Sequence, residues 1–219
     1  MHIFVSEVRE NGMSAALRAG VVHVRQLVAV DETHSWFEQQ LEADTGQETS
    51  GTGLQLVEGA SERLPLLGQL PTVSAAVAAR RLEEGVRWWL LLDGLQPVFS
   101  CWTFSRFMPM MGAPRGAVVL PPDVVFLEDS VTNPARRGSG FGPVALMAVA
   151  GRLHEEGTRW WLTKVKVGNR AADRLVVKAG FAPFATVRIW RMGPLRKTWV
   201  SLAQDGVNRW LPTALEAVG

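Results

Sequence analysis

The sequence predicts a mixed α/β domain in which strands and helices alternate along the chain. Three observations carry that expectation. Short apolar runs of strand length alternate with segments whose apolar residues recur at helical spacing. Asp93-Gly94 stands between two such apolar runs, which is a hairpin signal. Gly157 and Gly180 each follow a helical pattern at the place where a left-handed cap ends a helix. The length, 219 residues and 24.0 kDa, fits one large domain, and a chain of this size buries roughly 70% of its unfolded surface.

Residues 21–30 read as a strand and 32–41 as a short helix. Residues 42–62, rich in Gly, Thr, Ser, Glu and Gln, read as a surface loop. Residues 72–84 are helical: Thr72 can cap the first turn, and Val73, Ala76, Val77 and Ala79 supply an apolar stripe. The strands 87–92 and 97–104 flank the Asp93-Gly94 turn, with both turn residues expected at positive φ. Residues 107–114 form an apolar loop. Strands follow at 118–120 and 123–132. The helix 143–156 is apolar almost all round, which predicts burial. A strand at 159–167 leads to a helix at 169–179 with Asn169 as its N-cap. Residues 181–192 and 196–202 read as a hairpin, and 207–217 as a last helix. Two segments, RLEEGVRWWL from Arg81 and RLHEEGTRWWL from Arg152, look alike; the favoured reading is two similar helix-to-strand junctions rather than a duplication.

Composition excludes several classes. Apolar residues make up 47% and charged residues 20%, so the chain is not disordered. One cysteine, Cys101, excludes a disulfide framework and a cysteine-based zinc site. Lying in an apolar strand with no His near it in sequence, it reads as a packing residue. The four His (His2, His23, His34, His154) are far apart, so no metal is expected. The opening residues 1–12 hold acids and no apolar core and do not read as a signal peptide. No apolar run reaches the ~18 residues of a membrane span, and the expected location is cytoplasmic. The net charge of +2 conceals an asymmetry: −5 over residues 1–110 and +7 over 111–219. A basic half on a nearly neutral protein points to an anionic partner, either nucleic acid or a phosphate-bearing cofactor.

The chemistry concentrates in residues 127–181. A strand ends near Thr132, then Asn-Pro-Ala-Arg-Arg137-Gly138-Ser139-Gly140-Phe141-Gly142 leads into the buried helix. Glycines at the mouth of a helix let backbone N–H groups converge on a phosphate, favoured further by the helix dipole, and Arg137 can add a charge-assisted bond. A tight turn requiring positive φ explains the same glycines. A nucleotide P-loop is excluded because no Gly-Lys-Ser/Thr follows. The dinucleotide fingerprint is excluded because Ala145 occupies the place of its third glycine.

Arg137-Gly-Ser-Gly-Phe-Gly142 resembles the Arg/Gln-x-x-Gly-x-Gly/Ala signature of the GNAT superfamily of acyl-CoA-dependent N-acyltransferases. The segment from Asn169 through Ala172-Asp-Arg-Leu-Val-Val-Lys178-Ala-Gly180-Phe181 is similar to that superfamily's Asn…Ala-x-x-Leu-Tyr-x-Lys-x-Gly-Phe segment. Leu127-Glu128-Asp129 looks like the Leu-Glu-Asp of polyamine-type members. The resemblance is strongest over residues 85–192, and the first ~70 residues are divergent. It implies a single domain over 1–219 with a central twisted, mostly antiparallel mixed sheet flanked by helices, split where the strands ending near Thr132 and Val167 diverge. It implies acetyl-CoA or another acyl-CoA as co-substrate and an amine of a small molecule or peptide as acceptor, without a metal. Ser130, Val131 and Thr132 would pair with the pantetheine arm. Arg137, Gly138, Ser139, Gly140, Phe141 and Gly142 would hold the pyrophosphate, and Asn169 the arm. Lys178, with Arg170 and Arg174, would meet the adenosine phosphates.

Glu128 and Asp129 are the candidate bases. As strand neighbours they are expected on opposite faces, with only one lining the cleft. The resemblance favours Glu128; a capping or substrate-orienting carboxylate is the other reading. The superfamily's general-acid Tyr would fall at Val176, and the chain contains no Tyr. That departure keeps a non-catalytic CoA or acyl-carrier binding module as an alternative. A basic-faced nucleic-acid binder is the less favoured one. The oligomeric state is open, a homodimer included.

Overall fold

A computed structural model describes residues 29–43, 53–110, 116–193 and 195–203, with Leu211 and Ala214. Eight strands form one sheet. They are β1 (Ala29–Gln40), β2 (Leu54–Glu58), β3 (Arg87–Asp93), β4 (Gln96–Phe104), β7 (Val124–Thr132), β8 (Trp160–Lys166), β9 (Ala182–Met192) and β10 (Leu195–Leu202). Two short strands, β5 (Phe107–Pro109) and β6 (Ala117–Val119), pair separately. The large sheet runs in the order β10-β9-β1-β8-β7-β4-β3-β2. Every pairing in it is antiparallel except β7 with β8. Among the described residues the helices are α1 (Ala75–Glu83), α2 (Phe141–Glu155) and α3 (Arg170–Lys178), with 3-10 helices at Ser61–Gln69 and Pro134–Arg136. Among the described residues no helix is long and apolar enough to cross a membrane.

At β3 and β4 the sheet is buried on both faces. In β3, Trp88, Leu90 and Leu92 pack with the core half that holds Ala78 of α1 and Leu67 of the 3-10 helix. Trp89 and Leu91, the alternate residues, pack with the half that holds Ala145, Leu146 and Val149 of α2. A strand covered on both sides reads as a continuous apolar run because successive side chains point to opposite faces. The two buried indoles of β3 find partners across the hairpin: Trp88 Nε1 donates to Ser100 Oγ at 2.7 Å and Trp89 Nε1 to Thr103 Oγ1 at 2.8 Å. Leaving such a donor unpaired costs about 1–3 kcal/mol.

Several expectations change. Of residues 32–41, read as a helix, all but Leu41 belong to β1, the strand between β8 and β9. The Glu and Gln there favour a helix locally, but pairing on both edges and burial of Trp36 and Phe37 override that preference. The loop read at 42–62 contains β2, paired with β3. Ser74, not Thr72, caps α1, accepting from Val77 N at 3.4 Å. At the β3–β4 hairpin, Asp93 pairs with Gln96, so the turn residues are Gly94 and Leu95; only Gly94 has positive φ, +60°. That is the pattern of a II′ turn, with Gly in the first central position. The strand at 21–30, except its last two residues, lies outside the described residues. So does the helix at 207–217 apart from Leu211 and Ala214.

The look-alike segments are two similar junctions. Val86 N donates to Arg81 O at 2.8 Å and Thr158 N to Leu153 O at 3.0 Å, around Gly85 and Gly157 at positive φ. These are Schellman closures that turn a helix end into a strand.

Candidate functional site

The parallel strands β7 and β8 pair only from Val124↔Trp160 to Leu127↔Thr163. Beyond that point β7 keeps its partner β4 and β8 keeps β1, while the gap between them opens. The cause lies in β7. Between the pairs Ser100↔Val131 and Trp102↔Glu128, one residue of β4 faces two of β7, Asp129 and Ser130. This is a β-bulge, which bends and twists its strand. Asp129 takes the extra turn with φ +48°, the one positive φ outside glycine among the described residues. Asp tolerates that region better than most residues. The strand edge at Ser130–Thr132 that faces the gap is therefore left without a strand partner.

A cleft of about 640 Å³ occupies this place. It is lined by Ser130, Val131 and Thr132 on β7, by Arg136 to Gly138 and Gly140 to Pro143 around the start of α2, and by Asn169, Ala171, Ala172, Arg174, Leu175 and Lys178 on α3. The loop into α2 is anchored at Asn133. Its backbone N donates to Val98 O at 2.9 Å, and its Oδ1 accepts from Ala135 N at 3.1 Å. Gly138 and Gly140 have φ of +82° and +80° with open space where a Cβ would stand. Both explanations of these glycines therefore hold together: the turn needs positive φ, and the backbone is bare toward the cleft. Gly142 is a different case, since a Cβ there would come within 2.6 Å of Leu175 Cδ1, so it lets α2 approach α3. Pro143 sits in the first turn of α2, where its missing N–H costs nothing.

Of the residues expected to hold the cofactor, Ser130, Val131, Thr132, Arg137, Gly138, Gly140, Phe141, Gly142, Asn169 and Lys178 all line this cleft; Ser139 does not. Arg174 lines it and Arg170 does not. Asn169 caps α3, its side chain accepting from Ala172 N at 3.2 Å, which leaves its NH₂ group for the cleft. Sequence reasoning missed Arg136. This residue is ion-paired with Asp93 of the β3–β4 hairpin and lies 5.1 Å above the Phe141 ring. Its neighbour Arg137 is exposed and has no ion pair among the described residues. Among the described residues, four cations and no carboxylate line the cleft, so its field favours an anion.

The two carboxylates lie elsewhere. Glu128 Oε1 is 2.8 Å from Lys164 Nζ, which also donates to Pro109 O at 3.0 Å. Glu128 and Lys164 would be the next pair in the β7–β8 register, so their side chains span the gap where the backbones part. Asp129 Oδ2 is 2.7 Å from Arg81 of α1. The Arg81 guanidinium lies over the rings of Trp102 and Phe104, and Lys164 Nζ over that of Phe126. All three rings belong to one core half. The expectation that neighbours on a strand face opposite ways fails here because the bulge interrupts the alternation, and both carboxylates meet the α1 face of the sheet. Asp129 also lines a second, smaller pocket of about 320 Å³ with Pro71, Thr72, Val73, Ser130 and Val131.

Val176 is buried in the core half beneath α2. Cys101 is likewise buried, and burial pushes its thiol far above its ordinary pKa, which suits packing and not nucleophilic chemistry.

No family model matches the chain, and no curated protein matches it. Solved structures do. One is a putative acetyltransferase of the GNAT family from Novosphingobium aromaticivorans, with TM-score 0.53 and 9% identity over 80% of this chain and 66% of that one. Another is a GCN5-related N-acetyltransferase from Kribbella flavida, with TM-score 0.52 and 16% identity over 84% of this chain and 65% of that one. A third is a tandem GNAT protein from the clavulanic acid biosynthesis pathway, with TM-score 0.53 and 14% identity over 90% of this chain and 72% of that one. The chain spans about two thirds of the length of these proteins. It has the GNAT fold: a large, mostly antiparallel mixed sheet flanked by helices.

Proposed function

We propose that this GNAT-fold chain is an acyl-CoA-dependent N-acyltransferase of the GNAT superfamily, acting in the cytoplasm as a single domain and moving an acetyl group from acetyl-CoA to a primary amine. The observation that carries the reading is the cationic, glycine-mouthed cleft between diverging parallel strands. It combines a free strand edge, unobstructed amides at a helix N-terminus and Arg136, Arg137, Arg174 and Lys178 along one channel. A long ligand with an amide-bearing arm and an anionic end fits that set.

In this reading the Ser130–Thr132 edge takes the pantetheine amides as an added strand would, aided by the Asn169 amide. The loop 137–142 holds the pyrophosphate, and Arg174 and Lys178 meet the remaining phosphate. The co-substrate supplies a thioester already activated for attack. The protein then has to align a neutral amine and take its proton. Glu128 suits the proton transfer, because Oε1 is fixed by Lys164 while Oε2 has no ion pair among the described residues and can receive a proton from the attacking nitrogen. Asp129, equally fixed on one oxygen, orients the incoming ammonium, which loses one proton to solvent before attack; as the C–N bond forms and the C–S bond breaks, the second proton passes through Glu128 to the departing thiolate, giving the amide and free CoA thiol.

One observation favours a second reading, a CoA-binding module without turnover. The position where the resemblance places a proton-donating Tyr is a buried Val176. A single experiment separates the two. CoA binding is measured by calorimetry, then free thiol release is followed with acetyl-CoA across a panel of amines. Saturable binding with amine-dependent release supports the transferase, and binding without release supports the module. Absence of binding overturns both.

A further inference from the structure

We infer that the pocket beside Asp129 is the acceptor site and that it selects a compact primary monoamine with an apolar body and no carboxylate. This rests on the transferase reading and adds the substrate class to it. Ser130 and Val131 line both the 640 Å³ cleft and the 320 Å³ pocket, so the two spaces lie against the same two residues of β7, just past the bulge. A ligand in the pocket therefore reaches the strand segment that would carry the arm of the co-substrate.

The pocket's chemistry is restricted. Among the described residues, Asp129 is the one charged group lining it; Thr72 and Ser130 are hydroxyls, and Pro71, Val73 and Val131 are apolar. Arg81 holds Asp129 by Oδ2, and Arg81 is itself wedged against Trp102 and Phe104 with its side chain only 15% exposed. The carboxylate is thus oriented, Oδ1 remains outside that ion pair, and the side chain is 40% exposed. One cation is satisfied there. A second ammonium would meet valine and proline side chains and lose solvation without a partner. An acceptor carboxylate would face Asp129 with no cation lining the pocket among the described residues, since Arg81, ion-paired with Asp129 Oδ2, is not part of its wall. At about 320 Å³ the pocket has room for an arylalkyl or branched alkyl amine, whereas an amino sugar brings several ammonium groups to one carboxylate.

The test uses the full chain with acetyl-CoA and measures thiol release with phenethylamine, isoamylamine, spermidine, phenylalanine and kanamycin. The expected result is kcat/KM at least about tenfold higher for the two monoamines than for the other three. Val73→Trp, which fills the pocket, should raise the monoamine KM at least about tenfold with the Kd for CoA unchanged. Asp129→Asn should raise the same KM on the order of 10- to 100-fold with a smaller change in kcat, whereas loss of a proton acceptor would lower kcat. If Asp129→Asn fails to fold because Arg81 loses its partner, Val73→Trp still decides. A preference for spermidine, phenylalanine or kanamycin overturns the inference and leaves the transferase standing, as does a parental KM in Val73→Trp. CoA binding without transfer to any of the five also overturns it. A chain that does not bind CoA overturns the inference together with the reading beneath it.

Discussion

Arg137→Ala separates binding from folding more cleanly than any other change at the cleft. The side chain lines the cleft and makes no ion pair among the described residues, so its loss removes no ionic contact the fold uses. Surface changes of this kind stay within about 0.5 kcal/mol, which for a chain of this length is about 2 °C or less in Tm. A charge-assisted bond to a phosphate is worth about 1.5–3 kcal/mol, and solvent exposure reduces it toward the lower end. Taking about 1–2 kcal/mol, the Kd for CoA should rise roughly 5- to 30-fold. Calorimetry at about 50 mM and about 500 mM salt reads the effect, which should shrink at high salt because the contact is screened. Pantetheine, which lacks the pyrophosphate, should bind parent and variant alike. Arg136→Ala provides the contrast, since it breaks the ion pair with Asp93 and the contact with Phe141 and should lower Tm as well. A Kd for CoA within about twofold of the parent at low salt would refute the pyrophosphate role of Arg137, as would an equal loss of pantetheine.

Glu128→Gln keeps an oxygen for Lys164 but cannot take a proton. It should lower kcat on the order of 100-fold or more with CoA affinity within about twofold; near-parental turnover would pass the role to Asp129 or to solvent. Gly140→Ala meets no atom, so its cost is the backbone alone, about 1–2 kcal/mol for a residue at φ +80°. That corresponds to a Tm lower by about 2–8 °C, measured by calorimetric melting. His34 has its pKa lowered, by burial first and then by the charge of Lys164. The unfolded chain therefore binds the proton more readily, and this contribution to stability is complete above about pH 6.5 and declines as pH falls through the lowered folded value. Urea midpoints should drop from about pH 7.5 to about pH 5.5 by more in the parent than in His34→Asn; equal drops would show that His34 is not a source of the acid sensitivity.

The cleft was legible in the sequence because its parts are local. Positive φ at Gly138 and Gly140, the cap at Asn169 and the Schellman turns depend on a few consecutive residues whose conformational limits are intrinsic. Runs of apolar residues in β3, β4, β7 and β8 likewise announced strands. The strand β1 was not legible: its Asp, Glu and Gln obscure the strand pattern, and only pairing with β8 and β9 makes it a strand. Asn133 and Arg136 were overlooked although Asn-Pro marks a turn, because their value lies in contacts with β4 and Asp93, distant in sequence.

Residue types and spacing alone determined that a strand, a glycine-rich turn and a buried helix stand in succession, with the basic half of the chain around them. Tertiary structure alone decided where the two carboxylates point. Strand periodicity assigns Glu128 and Asp129 to opposite faces, and the bulge opposite Cys101 cancels that rule by inserting one residue into β7. Which cation holds each carboxylate, Lys164 of β8 or Arg81 of α1, depends on long-range packing over Phe126, Trp102 and Phe104. A periodic rule carries side-chain direction only as far as the backbone stays regular, and at this site the register shift that ends regularity is set by the neighbouring strand.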